Sequence, residues 1–215
     1  MPLPPHALPA GFIAPCLPSS APLAPSGEEW LHEIKHDGFR VIARKDGTRV
    51  KLYSRPGNDL TKRFPLIVEA MARLPPRSCI IDGEAVACGD DGIASFDRIR
   101  YQRHDASVFL YAFDLIELDG DDLRRDPLAV ARRHWPACLR ARRRACASTS
   151  TSTSTTGRSS SSTPASWGSR ASCRSGRSRP YRSRCSPDWI KSKNPTAPAV
   201  KREAEEDWGA VTAFS

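Results

Sequence analysis

Glu33-Ile34-Lys35-His36-Asp37-Gly38-Phe39-Arg40 decides how the rest of the chain is read. The run enters from Trp30, Leu31 and His32 with alternating character and ends in Asp-Gly, so it predicts a strand leading into a sharp turn. On a strand, residues two apart share a face, which puts Glu33, Lys35 and Asp37 on one side. A primary amine between two carboxylates is either part of a solvated surface or part of a pocket. Lysine becomes a nucleophile when it loses its proton, and close carboxylates oppose that loss unless a cation offsets them.

Downstream lie Ser54-Arg55-Pro56-Gly57, Asp82-Gly83-Glu84, Phe113-Asp114-Leu115 and Trp189-Ile190-Lys191-Ser192-Lys193, in that order. Each motif alone is common; five in sequence are specific. The succession resembles the covalent nucleotidyltransferases, and among them the bacterial ATP-dependent DNA ligases, including the ligase part of the end-joining enzyme. The likeness covers roughly residues 10–130 and 180–209.

It implies an α+β fold: a nucleotidyltransferase (ATP-grasp-like) adenylation domain with antiparallel sheets, flanking helices and a pocket between them. It also implies an enzyme that seals nicks through a lysyl-AMP intermediate, in DNA repair and recombination. Carried over by motif, Lys35 is the nucleophile and Glu33 helps read the base. Arg40 and Arg55 sit on the nucleotide and its phosphates, and Phe113 lies against adenine. Lys191 and Lys193 face the α-phosphate. Glu84 meets the ribose or the metal, with Asp37 as a second metal-side carboxylate. The cofactors implied are ATP and Mg²⁺ (or Mn²⁺). The implied partners are nicked double-stranded DNA and end-joining proteins, for a monomer without a membrane.

The 215 residues suffice for one domain with a real core. No apolar run is long enough to span a bilayer, and residues 1–25 lack a basic start followed by an apolar stretch, so no signal peptide is expected. The expected compartment is the cytoplasm. Seven cysteines at irregular spacing, without a CxxC pair, argue for reduced thiols and against structural zinc.

A net charge of +9 suggests nucleic-acid binding, but the charge is local. Thirteen of the 33 basic residues fall between Pro127 and Pro187, a stretch without Asp, Glu or Lys. Elsewhere 20 basic residues face 24 acidic ones.

Residues 1–27 form a Pro-rich leader, either a tail or a segment lying across the domain through Phe12 and Ile13. A nucleotidyltransferase domain is expected over 28–209, followed by a tail at 210–215. Asp46-Gly47 between alternating runs predicts a hairpin. Asp59 or Thr61 is expected to cap a helix carrying Phe64, Ile67, Val68, Met71 and Leu74, which Pro75-Pro76 stops. A strand over Cys79–Cys88 holds Asp82 and Glu84 on one face, where burial would require a partner, water or a metal. A short helix is expected at Phe96–Tyr101 and an apolar strand at Val108–Ile116, turned by Asp119-Gly120. By residue type Phe113 is either core or a base-stacking face. On the last strand Trp189, Lys191 and Lys193 share a side.

From about His134 to Arg179 acidic residues and apolar periodicity vanish. One explanation is a disordered Ser/Thr linker. Another is a reading-frame error. Trp167–Gly176 back-translates to codons which, read from one base earlier, spell Leu-Gly-Leu-Glu-Gly-Ile-Val-Ser-Lys-Arg, matching the EGIVxKR motif of the ligases it resembles. About 134–178 is therefore expected to be out of frame and disordered. The oligonucleotide-binding domain usual after this point in such ligases is expected to be missing. Rival readings are an RNA ligase or GTP-using capping enzyme, a non-catalytic remnant, and a basic nucleic-acid-binding module.

Overall fold

The alternating runs of the sequence become two β-sheets packed face to face. The structure, a computed structural model, describes residues 11–23, 25, 27, 30–34, 36, 38–88, 94, 96–101, 107–134, 146–148, 171–176 and 178–193. In chain order these give β1 (Cys16–Ser20), β2 (Trp30–Ile34), β3 (Phe39–Asp46), β4 (Arg49–Ser54), α1 (Pro65–Ala72), β5 (Ser78–Val86) and α2 (Phe96–Arg100). They continue with β6 (Phe109–Leu118), β7 (Asp121–Asp122), α3 (Leu128–Ala131), β8 (Cys146–Ser148), β9 (Ala171–Gly176) and β10 (Arg184–Lys193).

The larger sheet runs β4-β3-β5-β6-β7, with β8 beside β6. The smaller runs β1-β10-β9-β2. Most pairs are antiparallel as expected, but β1–β10 and β6–β8 are parallel. Parallel partners distant in sequence leave no local turn signal, so short-range reading does not find them.

The β3–β4 hairpin forms at Asp46-Gly47, with Gly47 at φ 58°. The two-residue Asp119-Gly120 turn has positive φ at both positions, 49° and 99°, the twist that closes a tight hairpin into β7. The first helix starts later than expected. Asp59 accepts from the Thr61 amide, and Thr61 Oγ1 accepts from the Leu52 amide, so both are spent in the preceding turn. α1 begins instead at Pro65, whose fixed φ suits a first helical position. Its end is held by Lys45, whose Nζ donates to the carbonyls of Leu74 and Pro76 at 2.5 and 2.7 Å.

Each face of the larger sheet has its own core. Val41, Ala43, Ile81 and Leu115 pack against Phe64, Ile67 and Met71 of the α1 region and Ile99 of α2. Ile42, Ile80 and Ile116 point the other way, onto Ile13, Cys16, Leu31, Tyr181 and Trp189 of the smaller sheet and its flanks. Burying each such aliphatic side chain contributes roughly 1.5–3 kcal/mol. The leader is thus stitched into the second core, since Ile13 and Cys16 are buried and β1 extends the sheet.

Two parts of 134–178 differ from the expected disorder, for β8 and β9 are strands. Ladder hydrogen bonds use only backbone groups, so extended text of any composition can occupy a vacant register. No helix among the described residues is long and apolar enough to cross a membrane. Cys16 and Cys185 are free thiols.

Candidate active site

Where the two sheets meet, a cleft of about 620 Å³ opens beside the start of β3. His36 and Gly38, between β2 and β3, line it together with Phe39 and Arg40 at the start of β3; Ser54 at the end of β4 and Arg55, Pro56 and Asn58 of the following loop add to it. β5 adds Glu84, α2 adds Phe96, β6 adds Phe113 and Asp114, and β10 adds Trp189 and Lys191. Cys16, Leu17 and Pro18 of β1 form one rim.

Of the residues the resemblance singles out, Arg40, Arg55, Glu84, Phe113 and Lys191 line this one cleft. Lys35 and Asp37 lie outside the described residues, though His36 and Gly38, which flank Asp37 and follow Lys35, line the cleft. Glu33 and Lys193 are placed by backbone only, in β2 and β10.

Arg40 is held on several sides. Its Nε and Nη2 donate to the two carboxylate oxygens of Asp82 at 2.6 and 2.8 Å, and Nη2 also reaches the Cys16 carbonyl at 3.2 Å. Its guanidinium carbon sits 4.8 Å from the centroid of the Phe113 ring. Burial pulls its pKa down, but the adjoining Asp82 carboxylate outweighs that, and the net shift is upward. Asp82 itself is fully buried. It receives a further hydrogen bond from the Tyr181 hydroxyl at 2.8 Å. Burial, then the Asp82 charge, raises the pKa of that phenol and keeps it protonated. The Cys16 thiol is likewise pushed up to about 12, by burial and then by Asp114 and Asp82.

Phe113 reaches the cleft through a break in pairing. Asp82 opposes Asp114 and Gly83 opposes Ala112, so Phe113 is the extra residue of a bulge on β6. A bulge re-aims one side chain. Gly83 permits it, because a Cβ there would collide with the Tyr111 carbonyl oxygen.

Several cleft residues escape sequence reading. His36 stacks on Tyr111 with centroids 3.7 Å apart. Arg63 lies over Phe39 at 4.6 Å and donates to the Ile99 carbonyl at 2.5 Å. Neither carries a local signal beyond residue type.

A cleft with aromatic walls, four cationic side chains, the half-buried Glu84 carboxylate and the buried Asp114 carboxylate has the size and donor set of a small-anion or nucleotide site. The described residues contain no cluster of three metal-ligating side chains. Glu84 still fits a hard cation such as Mg²⁺, which binds through one or two carboxylates plus substrate phosphates.

The sequence family described as ATP dependent DNA ligase domain matches residues 19–160. The multifunctional non-homologous end joining DNA repair protein LigD of Mycobacterium tuberculosis is 34% identical over 109 residues, 50% of this chain and 14% of that protein. LigD of Pseudomonas aeruginosa is 34% identical over 134 residues, 61% and 16%. A DNA ligase of Natronomonas pharaonis is 36% identical over 132 residues, 52% and 24%. The chain thus spans a quarter or less of these relatives' length.

Among solved structures, mycobacterial DNA ligase D complexed with ATP and MES superposes with a TM-score of 0.70 at 24% identity, covering 85% of this chain and 60% of that one. Chlorella virus DNA ligase-adenylate gives 0.55 at 14% identity, covering 85% and 69%. The shared architecture is the α+β nucleotidyltransferase fold of ligase adenylation domains. By the match over residues 19–160, this chain belongs to the ATP-dependent DNA ligase domain family.

Proposed function

We propose that this chain is the adenylation part of an ATP-dependent DNA ligase that forms a lysyl-AMP on Lys35 and passes the AMP to nicked duplex DNA, in end-joining repair. The observation that carries it is the convergence of Arg40, Arg55, Glu84, Phe113 and Lys191 on one cleft that His36, the residue after Lys35 in sequence, also lines. Neutral Lys35 Nζ attacks the α-phosphorus of ATP; a P–N bond forms, the bond to the bridging oxygen breaks, and pyrophosphate leaves. A 5′-phosphate oxygen of the nick then takes the AMP and frees Lys35. The 3′-hydroxyl displaces AMP, closing the phosphodiester.

In this scheme Arg40, Arg55 and Lys191, with Lys193, neutralise charge as it moves between phosphate oxygens. Phe113 offers its face to adenine, and Glu33 helps select the base. Glu84, with Asp37, would hold Mg²⁺, which supplies charge stabilisation at the phosphates. A monomer supports this chemistry, and the partners in the cell are nicked DNA and end-joining proteins.

Residues 134–178 we read as out of frame, so the chain as written is impaired. The lost motif glutamate falls across the codons of Ser169 and Arg170, and its lysine across those of Arg174 and Ser175. The test is a frame-restored chain given labelled ATP and Mg²⁺. It should retain acid-labile, base-stable label, and Lys35→Arg should abolish it, because a guanidinium is not deprotonated. Label persisting in Lys35→Arg would refute the assignment.

A further inference from the structure

Tyr181 comes from the segment between β9 and β10 and is nearly buried, 9% exposed. Its hydroxyl accepts from the Cys16 amide at 2.9 Å and donates to Asp82 Oδ2 at 2.8 Å. The Ala14 carbonyl is farther, at 3.5 Å, so the single proton goes to the carboxylate. Asp82 in turn grips two nitrogens of Arg40, and Cys16, whose amide is bound to Tyr181, gives its carbonyl to the same guanidinium. The ring closes on itself. Three elements far apart in sequence, the leader, β5 and the segment before β10, fix one cation from behind. Among the described residues no hydrogen bond uses Arg40 Nη1, and the residue lines the cleft.

We propose that Tyr181 is a positioning residue for Arg40: through Asp82 and the Cys16 backbone it holds the guanidinium edge-on to the cleft, preset for nucleotide phosphate or ribose oxygens. The proposal rests on the nucleotidyl-transfer reading above for its ligand, not for its geometry. Removing the hydroxyl strips a donor from a buried carboxylate and leaves the Cys16 amide without its acceptor. Asp82 is then free to swing with Arg40, and a preset donor becomes one that must be ordered on binding. A bystander tyrosine of the core would affect folding alone.

The experiment uses the full chain as Tyr181→Phe, Arg40→Gln and the double variant, each checked for folding by circular dichroism. Two readouts are taken: solvent exchange of the Arg40 Nε–H resonance in ¹⁵N-labelled protein, and affinity for MgATP. Tyr181→Phe is expected to speed Nε–H exchange and weaken MgATP binding each by about tenfold, the worth of one hydrogen bond to a charged group. In the Arg40→Gln background the same change should alter affinity by less than about twofold, because the two residues act as a unit. Unchanged Nε–H protection in Tyr181→Phe, or an equal loss of affinity in both backgrounds, would overturn the proposal. Absence of MgATP binding by both the parent and the frame-restored chain would count against the nucleotidyl-transfer reading instead, and the Arg40 resonance would still decide the role of Tyr181.

Discussion

The Arg40 guanidinium lies over the Phe113 ring, with 4.8 Å between the guanidinium carbon and the ring centroid. One face of an aromatic ring thus orients a cation, and the bulge at Asp82/Gly83 is what brings the ring there. Phe113→Leu keeps an apolar side chain, somewhat smaller, but removes the flat face. Its cost to folding is expected to be about 1–2 kcal/mol, as for a modest large-to-small change at a buried site. MgATP affinity should fall by about tenfold, within the range of a lost base-stacking contact. Titration with fluorescent ATP beside urea unfolding separates the two effects, and equal affinity in both proteins would remove Phe113 from the nucleotide site.

Gly38 immediately precedes β3, three residues after Lys35 in sequence. A Cβ at this position would run into the Ala85 carbonyl oxygen and the Val86 side chain. Gly38→Ala therefore has to pry β3 from β5, at a cost of about 1–3 kcal/mol typical of overpacking. A lowered urea midpoint at unchanged slope is the expected result. An unchanged midpoint would mean that the turn relaxes freely.

Glu117 is fully buried, with Oε1 accepting from Ser78 Oγ at 2.8 Å and from the Gly120 amide at 2.5 Å. Burial raises its pKa above the usual carboxyl value despite those donors. A carboxyl raised on folding adds stability that is full below the unfolded-state pKa and is lost as pH rises through the folded one. Glu117→Gln keeps an oxygen for both donors and removes the charge. Unfolding free energies measured between acid and neutral pH should fall with rising pH more steeply in the parent chain than in the variant. Parallel curves would show that Glu117 does not titrate differently on folding.

For the basic segment, limited proteolysis is expected to cut first within 147–164, and nick sealing by the unmodified chain to be absent. Loss of several charge-stabilising groups that act together typically costs orders of magnitude in rate. The frame-restored chain should resist the protease at the same positions. Robust ligation by the chain as written would show the segment to be a genuine linker.

Reading from sequence succeeds where the signal is local. The hairpin at Asp46-Gly47, the acidic pair on β5 and the apolar run of β6 are all set by residues within a few positions of one another. Asp82 illustrates the limit. Its place beside Glu84 shows that it needs a partner, but Arg40 lies 42 positions away and Tyr181 lies 99 away. Phe113 is ambiguous by alternation because a bulge cancels alternation. The leader strand pairs in parallel with β10 about 168 residues on, a closure no periodicity announces.

The position of β9 has its own consequence. β2, which leads into Lys35, lies at the sheet edge, and its described neighbour is β9, from the Arg/Ser text. Peptide groups form that ladder whatever the codons say, so a frame error here would subtract chemistry while sparing carpentry. On the frame-error reading, such a gene stands a short mutational walk from its former activity, because two small insertions or deletions would return the missing side chains to strands already laid out for them.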